Sequence, residues 1–367
     1  MLVLLDNRMI HLVRLPRLHK PDSICILRLS AIGDITHTLP VVRTLQAHWP
    51  QTRLTWVIGK MEYSLVSDIP DIEFIVFDKQ QGWRAYWQLY QTLKGRRFDV
   101  LLHMQMSLRA SVASRLIPAR VRLGFDRDRA KDLQWLFTNA KIASHTRQHV
   151  IDSLLGFSEA LGISEHRLEW NIPIPESAQA FARQQFSSEK PLLVIAPCSS
   201  MAYRNWTVEG YAAVANYATQ KYGMQVVLTG GPATIEREYA TAISAGMQSQ
   251  PVDLVGKTDL KQLLAVLQRA AVVISPDAGT AHLANAVGTP VIGLYATTNP
   301  DRARPYSFPQ YVVNQYPQAV QDKYAKSVAE LPWGVRVRDK GTMERISITD
   351  VKHKLDSVIA DNSAPTQ

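Results

Sequence analysis

The chain has 367 residues, 46% hydrophobic and 20% charged, which predicts two or three well-filled domains and excludes a small stapled module or a disordered chain. Its two cysteines, Cys25 and Cys198, sit in apolar runs, which argues against a disulfide framework and cysteine-ligated zinc and suits a reducing cytoplasm. The formal charge is +9, and residues 1–170 supply +7 of it, with 23 Lys/Arg against 16 Asp/Glu; such a surplus favours an anionic ligand or surface.

The opening Met1–Leu5 run is stopped by Asp6 and Arg8, too early for a signal peptide, and no later apolar run reaches about 20 residues, so no membrane span is expected. Residues 1–22 read as an N-terminal extension. An apolar run at residues 23–29 predicts a buried strand, followed by a helix over about 35–49. Further strands are expected at 54–58, 72–77 and 99–103, with helices near 84–93 and 107–116. Near-continuous apolar strands alternating with helices suit a parallel sheet covered on both faces. The pattern loosens after about residue 161, and Ile172-Pro173-Ile174-Pro175 enforces an extended stretch, so 23–170 is read as one domain and 171–190 as a linker.

A second α/β series follows over 191–345. Its strands are expected at 192–196, 225–228, 272–275 and 291–295, and its helices at 208–222, 235–245, 260–270 and 280–286. A last helix over about 349–359, with Val351, Leu355, Val358 and Ile359 as packing positions, lies in a C-terminal segment of 346–367. Two doubly wound domains leave a cleft beyond the carboxyl ends of their strands, where open α/β sheets bind ligands.

Four post-strand loops carry chemistry. In the first, residues 28–40, Gly33 permits a turn and Asp34 stands at a helix start, where it can cap the helix or serve as a base. Thr36, His37 and Thr38 follow as possible supporting partners. In the second, Ser199, Ser200 and Arg204 can donate to phosphate oxygens, while Trp206 reads as packing and Thr207 as a cap. The third, Thr229-Gly230-Gly231, lets a ligand approach the backbone. The fourth runs Asp277-Ala278-Gly279-Thr280-Ala281-His282. It puts helix-start amides where they can bind an anion, with His282 one turn in, either on a phosphate or holding the loop. No G-x-G-x-x-G, P-loop, H-E-x-x-H or C-x-x-C pattern is present, which removes support from dehydrogenase, P-loop NTPase and zinc hydrolase readings.

Ser30-Ala-Ile-Gly-Asp34-Ile-Thr-His-Thr-Leu-Pro40, Arg204-Asn-Trp206 and Asp277-Ala-Gly-Thr-Ala-His282-Leu-Ala-Asn-Ala together resemble the ADP-heptose:lipopolysaccharide heptosyltransferases of glycosyltransferase family 9, over about residues 22–310 and nearest the heptosyltransferase I branch. The resemblance implies a GT-B fold, two Rossmann-like doubly wound domains, with the acceptor on the N-terminal domain and the ADP-sugar on the C-terminal one. It implies inverting transfer of heptose to a Kdo sugar of the lipopolysaccharide inner core, with Asp34 as the base. Ser199, Ser200, Arg204, Thr229, Gly230, Asp277, Ala278, Gly279, Thr280 and His282 would form the donor site, and Arg28, Ser30, Arg109 and Arg122 the acceptor side. Arg204 replaces a common lysine, Ala278 a hydroxyl residue and Ala31 a frequent serine. The family's ribose-binding acid has no clean match; Thr234 aligns there, with Glu236 two residues on.

The partners expected on this reading are ADP-heptose, as substrate rather than cofactor, a Kdo-lipid A acceptor and the inner face of the inner membrane. Neither a metal nor nucleic acid is expected. The alternatives are a family relative using another sugar or acceptor, and a non-catalytic basic protein binding anionic lipid or nucleic acid.

Overall fold

The computed structural model describes residues 20–186 and 189–363, so most of the expected N-terminal extension lies outside the described residues. Six strands, β1 (Ser23–Leu27), β2 (Arg53–Gly59), β3 (Ile72–Phe77), β4 (Phe98–His103), β5 (Ala119–Gly124) and β6 (Ala140–Lys141), form a parallel sheet in the order β3-β2-β1-β4-β5-β6. Six more, β7 (Leu192–Ile195), β8 (Gln225–Leu228), β9 (Val252–Asp253), β10 (Val272–Pro276), β11 (Val291–Tyr295) and β12 (Val313–Asn314), form a second in the order β12-β11-β10-β7-β8-β9. This is the expected GT-B arrangement of two doubly wound sheets. Each order reverses direction beside its first strand, between β1 and β4 and between β7 and β10, and a ligand crevice opens at such a switch point.

The helices of the first half are α1 (Ile32–His48), α2 (Lys60–Val66), α3 (Trp83–Leu93), α4 (Leu108–Arg115), α5 (Val150–Ala160) and α6 (Glu176–Gln185). Those of the second half are α7 (Val208–Tyr222), α8 (Thr234–Ala245), α9 (Leu260–Arg269), α10 (Gly279–Ala286), α11 (Pro300–Ala303), α12 (Tyr316–Tyr324) and α13 (Ile348–Ser363). Helices α1, α2 and α5 share a core with one face of the first sheet, through Ile24, Ile26, Trp56 and Leu102. Helices α3 and α4 cover the other face, through Cys25, Leu27, Val57 and Leu101. In the second sheet α7, α8 and α13 pack on Ile195, Val226 and Ile274, while Val194, Val227 and Val273 join α9, α10 and the core of the first half. One apolar cluster therefore crosses between the sheets, and the helices that carry it, α1 and α10, open the two loops of greatest interest.

Helix α1 is buried on nearly every side from Ile35 to Leu45, as a helix clamped between a sheet and two other helices must be. Pro40 lies within it, and the neighbouring hydroxyls turn back onto the helix: Thr44 Oγ1 donates to the Pro40 carbonyl at 2.7 Å. Helix α7 begins at the expected cap, Thr207, whose Oγ1 accepts from Gly210 N at 3.1 Å, and ends on Gly223 at φ 63°, a left-handed position that suits glycine. Trp206 is buried and donates its indole N–H to the Ile346 carbonyl at 3.0 Å, so it packs. Val351, Leu355 and Val358 of α13 are buried, as their spacing predicted, and Ile359 packs half-buried beside them.

The stretch read as a linker contains α6, whose Ala178 and Ala182 are buried in the shared core beside α9. Strands β5, β6, β9 and β12 and helices α2, α5, α11 and α12 also lie outside the expected elements.

Candidate active site

Between the sheets lies a cleft of about 1230 Å³, above the usual range for a single small ligand and roomy enough for two. Its first wall is the loop from β1 into α1. Asp34 is the third residue of α1, and its Oδ2 accepts the Ala31 N–H at 3.2 Å and meets Arg28 Nη2 at 2.5 Å. It thus caps the helix start, yet the side chain keeps 39% of its surface accessible, so the carboxylate can still meet a substrate. Arg28 is buried beneath it, tethered to the Met104 carbonyl. Gln105, at the exit of β4, fixes the loop by accepting from Leu29 N at 2.6 Å and Ser30 N at 3.2 Å. Thr36 and Thr38 bond to the Gly33 and Asp34 carbonyls, so they hold the helix rather than the carboxylate.

The facing wall comes from β7, β8 and β10. Helix α10 begins after Ala278 with no side-chain cap, leaving its first-turn amides open for an anion. Asp277 reaches Arg204 Nη1 at 3.2 Å through Oδ2, while its carbonyl accepts from Ser199 Oγ and from Arg204 Nη1, each at 3.1 Å. Burial works to raise the Asp277 carboxyl, but the neighbouring His282 and the Arg204 guanidinium outweigh it and hold the group below the usual carboxylate range. Ser200, Thr229, Gly230, Gly279 and Thr280 complete this wall. Thr229 Oγ1 and Arg204 Nε are buried without a protein partner, polar atoms for which a ligand would supply hydrogen bonds. Glu236 lines the cleft and accepts from Gly231 N at 2.5 Å, whereas Thr234 does not line it. Burial pushes the Cys198 thiol, also on this wall, up to about 12.

The two walls touch. His37 Nε2 lies 3.1 Å from His282 Nδ1, and His282 Nε2 lies 3.9 Å from Asp277 Oδ1. A side chain on Gly33 would bring its Cβ to 2.7 Å from the His282 ring. Arg302, from the start of α11, stands between the halves and feels the carboxylates of both Asp34 and Asp277, although burial lowers its pKa.

Every donor-side residue predicted from sequence lines this cleft, as do Arg28, Ser30 and Asp34. Arg109 and Arg122 do not line it, and for Arg122 the inward side chain corrects the acceptor-side expectation. Arg109 lies exposed on α4. Arg122 points into the domain, its guanidinium donating to the Ser114, Ile117 and Phe137 carbonyls; charge density along a sequence does not say which way an alternating strand faces. Cations at the cleft in this half are instead Arg28, Lys79, Arg129, Lys131 and Arg147. Of residues not anticipated, Gln105 follows the same rule that singled out the others, since it lies just beyond the end of β4, whereas Arg302 sits within α11, well past the end of β11. Among the described residues no group of three or more His, Cys, Asp and Glu is placed to hold a metal ion.

Three buried imidazoles make the stability of this region pH-dependent. Burial takes His37 well below its ordinary value and His103 and His149 down to about 3. Below about pH 6.5 the unfolded chain takes up protons that these side chains refuse, so stability falls as pH falls, by about 1.4 kcal/mol per pH unit for each histidine. Urea unfolding should show its midpoint dropping steeply between about pH 6.5 and about pH 5; a flat midpoint would mean that the folded chain accepts those protons.

Residues 86–331 match the sequence model of glycosyltransferase family 9 (heptosyltransferase). The chain is 41% identical to the lipopolysaccharide core heptosyltransferase OpsX of Haemophilus influenzae, over 90% of this chain and 95% of that protein. In structure it is similar to a family 9 glycosyl transferase from Veillonella parvula (TM-score 0.77, 22% identity, 93% of this chain and 98% of that one). It is also similar to the E. coli heptosyltransferase WaaC with ADP-2-deoxy-2-fluoro heptose (TM-score 0.68, 20% identity, 91% and 99%).

Proposed function

The chain belongs to glycosyltransferase family 9 and is a heptosyltransferase of the lipopolysaccharide core, and from that premise we propose that it moves heptose from ADP-heptose to a Kdo residue of the inner core, in the manner of a heptosyltransferase I. The observation that carries the reading is the opposition, across one cleft, of the accessible Asp34 carboxylate and a wall of hydrogen-bond donors, Arg204, Ser199, Ser200 and the α10 amides.

In this mechanism Asp34 removes the proton from an acceptor hydroxyl as its oxygen attacks C1 of the heptose, and the C1–O bond to ADP breaks in the same step with inversion. Negative charge grows on the departing diphosphate, where fixed donors lower the barrier most because they need no rearrangement. Arg28 keeps the carboxylate aimed, Gln105 keeps the loop in place, and Glu236, whose carboxylate lies against Gly230 and Gly231, is the acid that would accept from the nucleotide's ribose hydroxyls. Arg28, Lys79 and Lys131 supply the positive wall that a Kdo carboxylate or a phosphate would meet. Magnesium dependence of the chemical step would count against this account, which neutralises the diphosphate with Arg204 and backbone amides.

The enzyme would work at the inner face of the inner membrane; among the described residues no helix is long and apolar enough to cross one. The test is ADP release from ADP-heptose with and without a deacylated Kdo-bearing lipid A acceptor, with mass spectrometry of the product. Release that depends on the acceptor, with one heptose added, supports the reading. Release with another nucleotide sugar alone would replace the donor, and no release at all would remove the reaction.

A further inference from the structure

Outside the cleft, the largest unexplained feature is a set of bulky apolar side chains held in solvent on the first half of the chain. Trp83 is 72% exposed and Trp87 57% on α3, Leu108 is 58% exposed at the start of α4, and Trp135 is 46% exposed in the segment after β5. Helices α3 and α4 lie on the same face of the sheet. Ala85 and Leu89 of α3 and Ala110 and Ala113 of α4 enter one core on the same sheet face. The Leu108 N–H donates to Asp132 at 3.3 Å, and the Arg115 guanidinium lies 5.8 Å from the Phe137 ring centre, which ties the post-β5 segment to α4. All of them leave the carboxyl ends of β3, β4 and β5, the edge on which the cleft opens, and Lys79 and Lys131 of the neighbouring loops line the cleft itself.

The charge of this region is one-sided. From Lys79 to Gly124 there are nine Lys and Arg and a single acid, Asp99. That acid faces inward and accepts from the Asp22 and Ser23 backbone N–H groups. Arg84 and Lys94 are exposed on or beside the tryptophan-bearing helix, and the Arg127 guanidinium lies 5.5 Å from the Trp135 ring centre. Exposed tryptophans set among cations are poorly suited to bulk water. They suit a lipid headgroup layer, where an indole is half solvated and the cations meet anionic phosphates. A second copy of the same face would bring like charges together.

We propose that the α3–α4 rim, with Trp83 and Trp87 at its tip, docks this enzyme on an anionic bilayer so that the cleft opens toward the membrane. The proposal rests on the functional reading in one respect, that the acceptor sugar is carried by a lipid. Docked in this way, the acceptor headgroup reaches Asp34 while its acyl chains remain in the bilayer.

The test uses the full chain, sedimented with vesicles of phosphatidylcholine alone or of phosphatidylcholine with phosphatidylglycerol, beside the double variants W83S/W87S and R84Q/K94Q. None of these four residues lines the cleft. Wild type should pellet with the anionic vesicles and much less with the neutral ones, and each double variant should lower that partitioning about tenfold. High salt should remove the difference between R84Q/K94Q and wild type. ADP release with the deacylated acceptor should be unchanged in both variants, while release with acceptor embedded in anionic vesicles should fall with their binding. The proposal is overturned if wild type stays in the supernatant, or if both variants pellet like wild type. It is also overturned if wild type without lipid sediments as a dimer that W83S/W87S abolishes, since a second copy then covers the face. Vesicle binding that obeys these rules while no protein releases ADP would instead reject the functional reading and leave the docking surface standing.

Discussion

Replacing Asp34 with Asn is expected to lower kcat for heptose transfer by about a thousandfold, within the span that a positioned general base supplies, while the KM for ADP-heptose stays within about twofold of wild type. Asparagine keeps a side-chain oxygen that can accept the Ala31 N–H, so the start of α1 survives. The pair with Arg28 is lost, and although the Asp34 side chain is 39% accessible, that of Arg28 is only 9% accessible, so the cation left with the Met104 carbonyl costs up to about 3 kcal/mol. A lowered melting temperature that ADP still raises as it does in wild type, beside collapsed turnover, therefore separates chemistry from folding. Turnover within tenfold of wild type would show that the attacking hydroxyl loses its proton elsewhere.

Arg204→Ala should behave differently, because it damages the donor wall and the fold together. Arg204 and Asp277 are almost buried, with side chains 13% and 14% accessible. Removing the cation leaves a buried carboxylate to His282, the Thr298 side chain and the more distant Arg302, at a cost of about 3 kcal/mol. The departing diphosphate also loses its planar donor, so kcat/KM for ADP-heptose should fall by about two to three orders of magnitude. Arg204→Lys restores the charge but not the two-pronged geometry, and it should recover stability more fully than rate. Melting curves with and without ADP, run beside steady-state kinetics, check both halves of this expectation. A fully active, fully stable R204A protein would mean that the donor is held by the α10 amides alone.

The fold was legible wherever burial was two-sided. Strands β1, β4, β7 and β10 are apolar along nearly their whole length because helices cover both faces, and their positions were read within a residue or two. Strand β5 escaped because Arg120 and Arg122 interrupt it, although Arg122 lies half-buried with its guanidinium spent on internal carbonyls. Helix α6 escaped behind two prolines that do impose an extended stretch, but only up to its first residue, Glu176. The site was legible loop by loop, since each critical residue follows a central strand. What sequence could not supply was pairing between loops. His37 reads as one more helical histidine until α10 brings His282 to within 3.1 Å of it, and Arg302 has no local motif to mark its place between two carboxylates.

The bare Cα of Gly33 bears on how such enzymes can change. The hydrogen at that position is a space reserved for an imidazole 249 residues further along the chain. The half that carries Asp34 and the half that carries Arg204 therefore hold a shared record of each other, written in one missing side chain and one ring. A hybrid assembled from the halves of two relatives would inherit both sets of binding residues intact. It would still fail to close unless the residue at 33 and the residue at 282 came as a matched pair. A change at either residue has to be answered at the other, just as changes in the apolar cluster that both halves share have to be answered across it.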